Sequence, residues 1–169
     1  MRFVFVDGYN VVNSWDILKK EKSVSLESAR QKLIDILDNY GAINGCKVIL
    51  VFDGYKVVGN RESRYEYNKN LMVIFTKDGV TADAYIEKEV NHIGRKYEVY
   101  VVTSDSLEQQ TIFQRGAVRI SSIEFYNLVF KTNEDIKHNS KKVNLNDKNV
   151  LLDNIDDDVL KKLEAMRRS

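Results

Sequence analysis

The sequence predicts an α/β fold, a parallel β-sheet of about five strands flanked by helices and followed by a short C-terminal helical tail. Five apolar runs are rich in Val, Ile and Phe and are continuous rather than alternating, which is typical of strands covered on both faces. Helical patterns separate most of these runs, and such alternation indicates a parallel sheet with right-handed crossovers. The predicted strands are Phe3–Val6, Val48–Phe52, Met72–Phe75, Val99–Thr103 and Ala117–Ile120.

Four helices are predicted from apolar residues at helical spacing. Ser121 and Glu124 have the spacing of a capping box, which predicts the start of the fourth helix. By contrast, the segment between Asp53 and Asn70 shows no helical period and predicts a long, mobile loop. The first three helices cover residues 26–40, 82–93 and 107–114, and glycines at 41, 94 and 116 are expected to end them.

The bulk composition is that of an ordinary globular protein. The 169 residues are 43% hydrophobic and 30% charged, and they carry a formal net charge of +1. The single cysteine, Cys46, cannot form an internal disulfide, which predicts a reducing cytoplasm. The N-terminus is charged too soon for a signal peptide, and no apolar run is long enough for a transmembrane helix. We therefore expect a soluble cytoplasmic protein without a membrane partner.

The chain changes character near Lys131. Residues 132–149 are polar and rich in Asn and Lys, which predicts a linker or a loosely held tail. A last short helix is predicted from Val159 to Arg168, with acids before it and bases at its end, as the helix dipole favours. The predicted organisation is a domain over residues 1–130 and a polar linker with a C-terminal helix over residues 131–169.

Acidic residues follow four of the five predicted strands. Ligands of open α/β sheets bind beyond the carboxyl ends of the strands, so these acids are expected to meet at one edge. A single Asp at such a position is usually a helix cap or a turn former. Four together repel one another unless a cation neutralises them, and oxygen ligands without Cys or His favour Mg²⁺ or Mn²⁺. The acids are Asp7, Asp53, Asp83 and Asp105, with Glu87 and Glu108 about one helical turn after the last two.

A metal held by carboxylates suits phosphoryl chemistry. The metal polarises the phosphorus centre and lowers the pKa of water, and a carboxylate can orient or deprotonate that water. No histidine is required: His92 and His138 are predicted to be solvated. Cys46 is predicted to be a small buried or idle thiol.

Four segments bearing these acids occur in a fixed order over roughly residues 1–130. They are Val6–Val12 (VDGYNVV), Val51–Gly54 (VFDG), Thr81–Asp83 (TAD) with Ile86 and Glu87, and Val102–Asp105 (VTSD) with Glu108 and Gln109. In this order they resemble the NYN branch of the PIN-like nucleases and, within it, the bacterial YacP-like, ribosome-associated endoribonucleases.

The resemblance implies a PIN-like, Rossmann-like sheet and divalent-metal-dependent RNA cleavage. It implies Asp7, Asp83 and Asp105 as the acidic core, and Asn10 as a polar residue of the site. Asp53, Glu87 and Glu108 would be supporting metal ligands. It also implies mRNA as the substrate and the ribosome as a partner, while the oligomeric state stays open. Attack by water would leave 5′-phosphate and 3′-hydroxyl ends.

Basic and aromatic residues supply candidates for binding the RNA. Basic side chains contact phosphates, and aromatic rings stack on unpaired bases. The segment after the second strand fits this role, but it also fits a solvated loop with tyrosines packed on the body, and both interpretations stay open. The candidates are Lys56, Arg61, Arg64 and Tyr65 in that segment, with Arg30 on the first long helix and Lys77 before Asp83.

Other protein classes fit the pattern less well. A haloacid-dehalogenase-type phosphatase needs a second Asp where Tyr9 stands, and a receiver domain needs a lysine where Ser121 and Ser122 follow the fifth strand. The strongest alternative is a PIN-like protein that binds RNA or the ribosome without cutting.

Overall fold

The computed structural model describes residues 1–54, 61–104, 116–131 and 167. Its strands are β1 (Arg2–Asp7), β2 (Lys47–Phe52), β3 (Ser63–Asn68), β4 (Leu71–Phe75), β5 (Glu98–Val102) and β6 (Val118–Ile120). Its helices are α1 (Gly8–Ser14), α2 (Asp16–Val24), α3 (Leu26–Asn44), α4 (Ala82–Ile93) and α5 over residues 122–131.

The six strands form one sheet in the order β3-β4-β2-β1-β5-β6. All neighbours are parallel except β3 and β4. The central strands are buried on both faces because they consist of consecutive apolar residues, among them the fully buried Phe5, Val51 and Val101. The predicted α/β class and all five predicted strands are confirmed. After β1 the chain turns to β2 on one side, and β5 later adds on the other, so the end of β1 lies at a switch point of the topology.

The predicted mobile loop between Asp53 and Asn70 is wrong in its second half, which contains β3. This strand lies at the sheet edge and is mostly exposed, so its sequence lacks the apolar alternation that indicates a strand. Its pairing with β4 is set by a tight turn, in which the side-chain oxygen of Asn68 accepts from the backbone N–H groups of Asn70 (2.7 Å) and Leu71 (3.0 Å). Residues 55–60 lie outside the described residues.

The predicted helix stop at Gly41 is also wrong, because α3 continues to Asn44. Gly45, at φ 60°, supplies the left-handed cap instead. Gly41 is buried, and a Cβ there would lie 3.2 Å from the backbone oxygen of Asn70. Its lack of a side chain lets α3 approach the sheet, which a sequence pattern does not distinguish from a helix end.

The remaining helix predictions have mixed outcomes. The α4 helix is confirmed up to its cap at Gly94, and Ser121 caps α5 by accepting from the Glu124 N–H at 3.1 Å. The α1 and α2 helices were not predicted. Residues 107–114 and nearly all of the predicted tail helix lie outside the described residues. No helix in the described ranges is long and apolar enough to cross a membrane.

The chain divides into two compact units, Met1–Asn127 and Leu128–Ser169. The first contains the whole sheet. Little of the second is described, so the predicted domain boundary at residue 130 stays a prediction.

Candidate active site

Asp7 ends β1 and caps α1 without an intervening loop. Its carboxylate accepts from the backbone N–H of Asn10 at 3.4 Å, as an N-cap side chain does. The abrupt turn depends on Gly8, because a Cβ at that position would lie 2.4 Å from the ring of Phe52. The sequence Asp-Gly therefore places a carboxylate at the carboxyl edge of the sheet, between the strand and the helix N-terminus.

Asp83 lies in the first turn of α4, which Thr81 caps by accepting from the Ala84 N–H at 3.1 Å. One oxygen of Asp83, Oδ1, is buried and has no hydrogen-bond partner. Burial, a hydrogen bond with Asp83 and repulsion from Asp83 raise the pKa of Asp7 to about 8, and the charge of Asp53 adds to this rise. At neutral pH the carboxyl group of Asp7 is therefore mostly protonated.

Asp53 follows β2 on a backbone that is fixed by Gly54. The Gly54 N–H donates to the hydroxyl of buried Thr76 at 2.9 Å, and that hydroxyl donates to the Val80 carbonyl at 2.6 Å. A Cβ on residue 54 would lie 1.9 Å from the Thr76 carbonyl oxygen, so only glycine fits this contact. The Asp53–Gly54 pair is thus held rigidly at the same edge as Asp7.

A cavity of about 380 Å³ opens at this edge, within the roughly 300–1,000 Å³ range of small-molecule sites. It brings together four residues that the sequence predicted, namely Asp7, Asn10, Asp53 and Asp83. Its other lining residues are Tyr9, Asn13, Lys22, Leu26, Thr81 and Ala82.

Asn10 is held by hydrogen bonds on both sides of its amide. Its nitrogen donates to the hydroxyl of Ser104, after β5, and its oxygen accepts from the hydroxyl of Ser122, each at 2.5 Å. The Ser122 carbonyl in turn accepts from the indole N–H of Trp15 at 2.8 Å. These bonds fix Asn10 in the cavity wall and join α1 to the ends of β5 and β6.

The set of metal ligands predicted from the sequence is only partly described. Asp105 and Glu108 lie outside the described residues, and Glu87, one turn after Asp83 on α4, is not part of the cavity wall. Within the described ranges, no three His, Cys, Asp or Glu side chains are grouped closely enough to form a metal site by themselves. The donors that are present still fit a hard divalent cation, because they are carboxylates and one oxygen of Asp83 is buried without a partner.

Two of the predicted substrate-binding residues lie on a path from the cavity to the sheet edge. Arg30 donates to the Tyr9 hydroxyl at 3.2 Å and covers the ring of Phe75, with 5.8 Å from its guanidinium carbon to the ring centre. Tyr65 on β3, 58% exposed, meets the same ring edge-on at 6.2 Å between centres. Tyr9, Arg30 and Tyr65 are therefore linked through shared contacts.

Of the other predicted substrate-binding residues, those that the structure describes do not line the cavity. Arg64 contacts Glu62 at 2.8 Å and Glu89 at 3.8 Å, so neighbouring acids offset its charge. Arg61 and Lys77 are exposed and do not line the cavity, and Lys56 lies outside the described residues.

Sequence reasoning missed Asn13 and Lys22, which line the cavity from α1 and α2. A usable signal was present. Asp7, Asn10 and Asn13 recur every three residues, which puts them on one face of a helix. Of the residues predicted to be inert, His92 is exposed and Cys46 is buried, as predicted, and His138 lies outside the described residues.

Comparisons with known proteins identify the family. The model of the YacP-like NYN domain family matches residues 4–168. The uncharacterized protein YacP of Bacillus subtilis (strain 168) is 36% identical over 171 residues, which cover 99% of this chain and 98% of that protein. The crystal structure of Rae1 (YacP) from Bacillus subtilis matches with a TM-score of 0.70 and 34% identity, covering 100% of this chain and 96% of that one.

A tryptophan-to-leucine mutant of Rae1 (YacP) matches with the same TM-score of 0.70 and 35% identity, covering 84% of this chain and 82% of that one. The family match and the relative both extend over nearly the whole sequence. The chain therefore belongs to the YacP-like NYN domain family, a branch of the PIN-like nuclease superfamily.

Proposed function

We propose that this protein is a divalent-metal-dependent endoribonuclease that hydrolyses phosphodiester bonds in single-stranded RNA. The observation that carries the proposal is the contact between the carboxyl groups of Asp7 and Asp83 at the carboxyl edge of the sheet. Two partly buried carboxyl groups in contact weaken a fold unless a proton or a cation lies between them. In a member of a nuclease superfamily, a catalytic cation is the reason we assign to this arrangement.

Asp7 and Asp83 would hold Mg²⁺ or Mn²⁺, with Asp53 at the same cavity and Asp105, Glu87 and Glu108 as the further ligands expected from the sequence. When bound, the metal supplies a Lewis acid for the phosphodiester and lowers the pKa of the attacking water. A carboxylate of the site would accept a proton from the attacking water. Asn10 is held by its two serine partners, and we propose that it orients the phosphate or the sugar beside it.

The path from Tyr9 through Arg30 to Tyr65 is proposed to bind the RNA strand outside the cavity. Arg30 supplies a positive charge, and the exposed ring of Tyr65 supplies a surface on which an unpaired base can stack. The acidic cavity itself repels RNA until a cation is bound, so affinity must come from contacts of this kind.

We further propose that the substrate is mRNA on the ribosome. The net charge of +1 gives little general attraction to RNA. Docking to the ribosome would raise the local concentration of substrate for a nuclease that binds RNA weakly. Co-sedimentation with ribosomes at moderate salt tests this for the wild type, an Arg61→Ala/Arg64→Ala variant and a chain ending at Phe130. We propose that the segment after β2 and the tail contribute to this docking. Equal sedimentation of all three, or of none, would contradict that assignment.

The decisive experiment on the activity uses a 5′-labelled single-stranded RNA and maps both cut ends. We expect cleavage with Mg²⁺ or Mn²⁺, none in excess EDTA, and products with 5′-phosphate and 3′-hydroxyl ends. Full cleavage in EDTA, or a 2′,3′-cyclic phosphate, would overturn the metal mechanism, because either result points to attack by the 2′-hydroxyl of the RNA.

A second candidate function is RNA or ribosome binding without cleavage. It is favoured by the finding that, in the described part of the chain, no three possible metal-ligating side chains form a group. Melting temperatures separate the two. If Mn²⁺ stabilises the wild type but not Asp7→Asn, the metal site is supported. Equal melting curves with and without Mn²⁺, together with RNA binding and no cleavage, would favour the binding protein.

A further inference from the structure

The cavity has a second, cationic end that lies beyond the acidic pair. Asp7 caps α1, and Asn10 and Asn13 follow at three-residue intervals, so these polar side chains run along one face of the helix. Six residues of helix rise about 9 Å, so the backbone of Asn13 lies about that far along α1 from Asp7. At this far end the Asn13 side-chain oxygen accepts a hydrogen bond of 2.7 Å from Lys22 Nζ on α2.

The charge of Lys22 is available because the acids near it in sequence are already engaged. On α2, Asp16 pairs with Lys19 at 3.6 Å. Glu21 pairs instead with Lys32 on α3 at 3.4 Å. Among the described residues, Lys22 forms no ion pair and its hydrogen-bond partner is the uncharged amide of Asn13. A neutral partner orients the ammonium group without offsetting its charge, and two of its three donors remain for a ligand.

We propose that Lys22, oriented by Asn13, binds a phosphate of the RNA strand next to the phosphate that is cleaved. The inference rests on the proposed nuclease function and adds a subsite to it. The ligand class follows from the chemistry, since a lysine ammonium at the wall of a polar cavity matches a phosphate oxygen. The neighbouring phosphate is assigned, rather than the scissile one, because Lys22 donates to Asn13, which α1 places about 9 Å along its axis from Asp7.

In this arrangement the two ends of the cavity have different roles. The acidic end holds the metal and carries the chemistry, whereas the Lys22 end binds the strand and fixes its register. Because Lys22 and Asn13 lie on different helices, their hydrogen bond also ties α2 to α1 beside the cavity. The α2 helix thereby becomes part of the substrate site rather than a connector between α1 and α3.

The test measures metal-free binding of a labelled single-stranded RNA in EDTA as a function of salt. For Lys22→Gln we expect about a tenfold higher Kd at low salt, and a slope of log Kd against log salt that is smaller by about 0.7, which corresponds to one phosphate contact. The matched control is Lys20→Gln, which removes the same charge from an exposed residue of α2 that does not line the cavity. The control is expected to stay within about twofold of the wild type.

Asn13→Ala removes the group that orients Lys22 but leaves the charge of Lys22 in place. It should weaken binding less than Lys22→Gln, leave the salt slope unchanged, and have no further effect when combined with Lys22→Gln. Melting curves of each variant verify folding. Equal Kd values and slopes for Lys22→Gln and Lys20→Gln would overturn the inference, as would wild-type binding that does not respond to salt.

A neutral methylphosphonate linkage beside the mapped cut site locates the contact. The wild type should lose affinity for this RNA, whereas Lys22→Gln should bind it and the unmodified RNA equally well. Equal losses in both proteins would show that Lys22 contacts another part of the strand. The outcomes are separable from those of the proposed function: binding without cleavage would contradict the nuclease but not the subsite, and cleavage unaffected by Lys22→Gln would contradict only the subsite.

Discussion

The two ends of the parallel sheet differ in how their charged side chains are paired. Where β1 and β5 begin, Arg2 and Glu98 are register partners that form an ion pair of 3.2 Å, and Tyr100 donates to Glu98 at 2.5 Å. The hydrogen bonds from Tyr100 and Arg2 lower the pKa of Glu98. Where β1 ends, Asp7 and Asp83 bring two like groups together in a half-buried site, and the pKa of Asp7 rises to about 8.

The pairing at one end is explained by folding, whereas the pairing at the other end requires a functional explanation. Half-exposed opposite charges at the beginning of the strands are compatible with folding and contribute little to it. Like charges that are withdrawn from water destabilise the fold, so their presence at the other end requires a separate reason.

The largest effect is expected for Asp83→Asn, which removes a carboxylate from the acidic end. We expect metal-dependent cleavage to fall by about a thousandfold, or roughly 4 kcal/mol of transition-state stabilisation. Glu98→Gln removes a carboxylate from the opposite end and should leave cleavage within about twofold of the wild type. Initial rates with Mn²⁺ measure both, and melting curves in EDTA should show that Asp83→Asn is folded. Comparable losses in the two variants would mean that the acidic pair has no special role.

The next largest effect is expected for Gly54→Ala, which alters the backbone that holds Asp53. Gly54→Ala places a methyl group only 1.9 Å from the Thr76 carbonyl oxygen, which is a backbone atom and cannot rotate away. We expect a loss of about 3 kcal/mol or more in the free energy of unfolding. Gly79→Ala is the control, because that residue has φ +83° but nothing within 4 Å, so only about 1 kcal/mol of backbone strain is expected. Urea unfolding that ranks the two variants equally would contradict the steric argument.

The sequence predicted the centre of the fold and the acidic end of the site for a common reason. Strands buried on both faces need consecutive apolar residues, and the ends of parallel strands meet at one edge, so Asp7, Asp53 and Asp83 could be grouped without a structure. Features that depend on packing against one neighbouring strand or helix could not be predicted from the sequence. β3 is exposed and depends on β4 for its pairing, and the place of Lys22 in the cavity depends on how α2 packs beside α1.

A smaller effect is expected on the pH dependence of stability without metal. The folded pKa of Asp7, about 8, lies above its ordinary value of 3.8, so between these values the folded state binds more protons than the unfolded state. The stabilisation is therefore fully present below about pH 4 and is lost as the pH rises through 8. Its slope reaches at most about 1.4 kcal/mol per pH unit.

Asp7→Asn isolates this contribution, since Asn keeps the helix cap and imitates the protonated carboxyl group. In EDTA, the free energy of unfolding of the variant minus that of the wild type should increase from pH 5 to pH 9. A difference that is constant over this range would show that the pKa of Asp7 is not raised. With Mn²⁺ present, the wild type should gain most at high pH, because the metal then no longer competes with the proton.

The smallest effect is expected at the end where the strands begin. Glu98 has its pKa lowered, so its contribution to stability has the opposite sign from that of Asp7: it is present above the unfolded pKa and is lost as the pH falls. Both partners of the ion pair are about half exposed, with side-chain exposures of 45% for Arg2 and 51% for Glu98, so water and salt screen the interaction. Glu98→Gln should therefore change the melting temperature little at pH 7, less still at pH 4, and less again in high salt.

If Glu98→Gln shifted the pH dependence as strongly as Asp7→Asn, the two ends of the sheet would not differ in the way proposed. If Glu98→Gln shifted stability only at low salt, the Arg2–Glu98 ion pair would contribute little to the fold. The raised pKa of Asp7 would then be the electrostatic feature that a role in the active site explains.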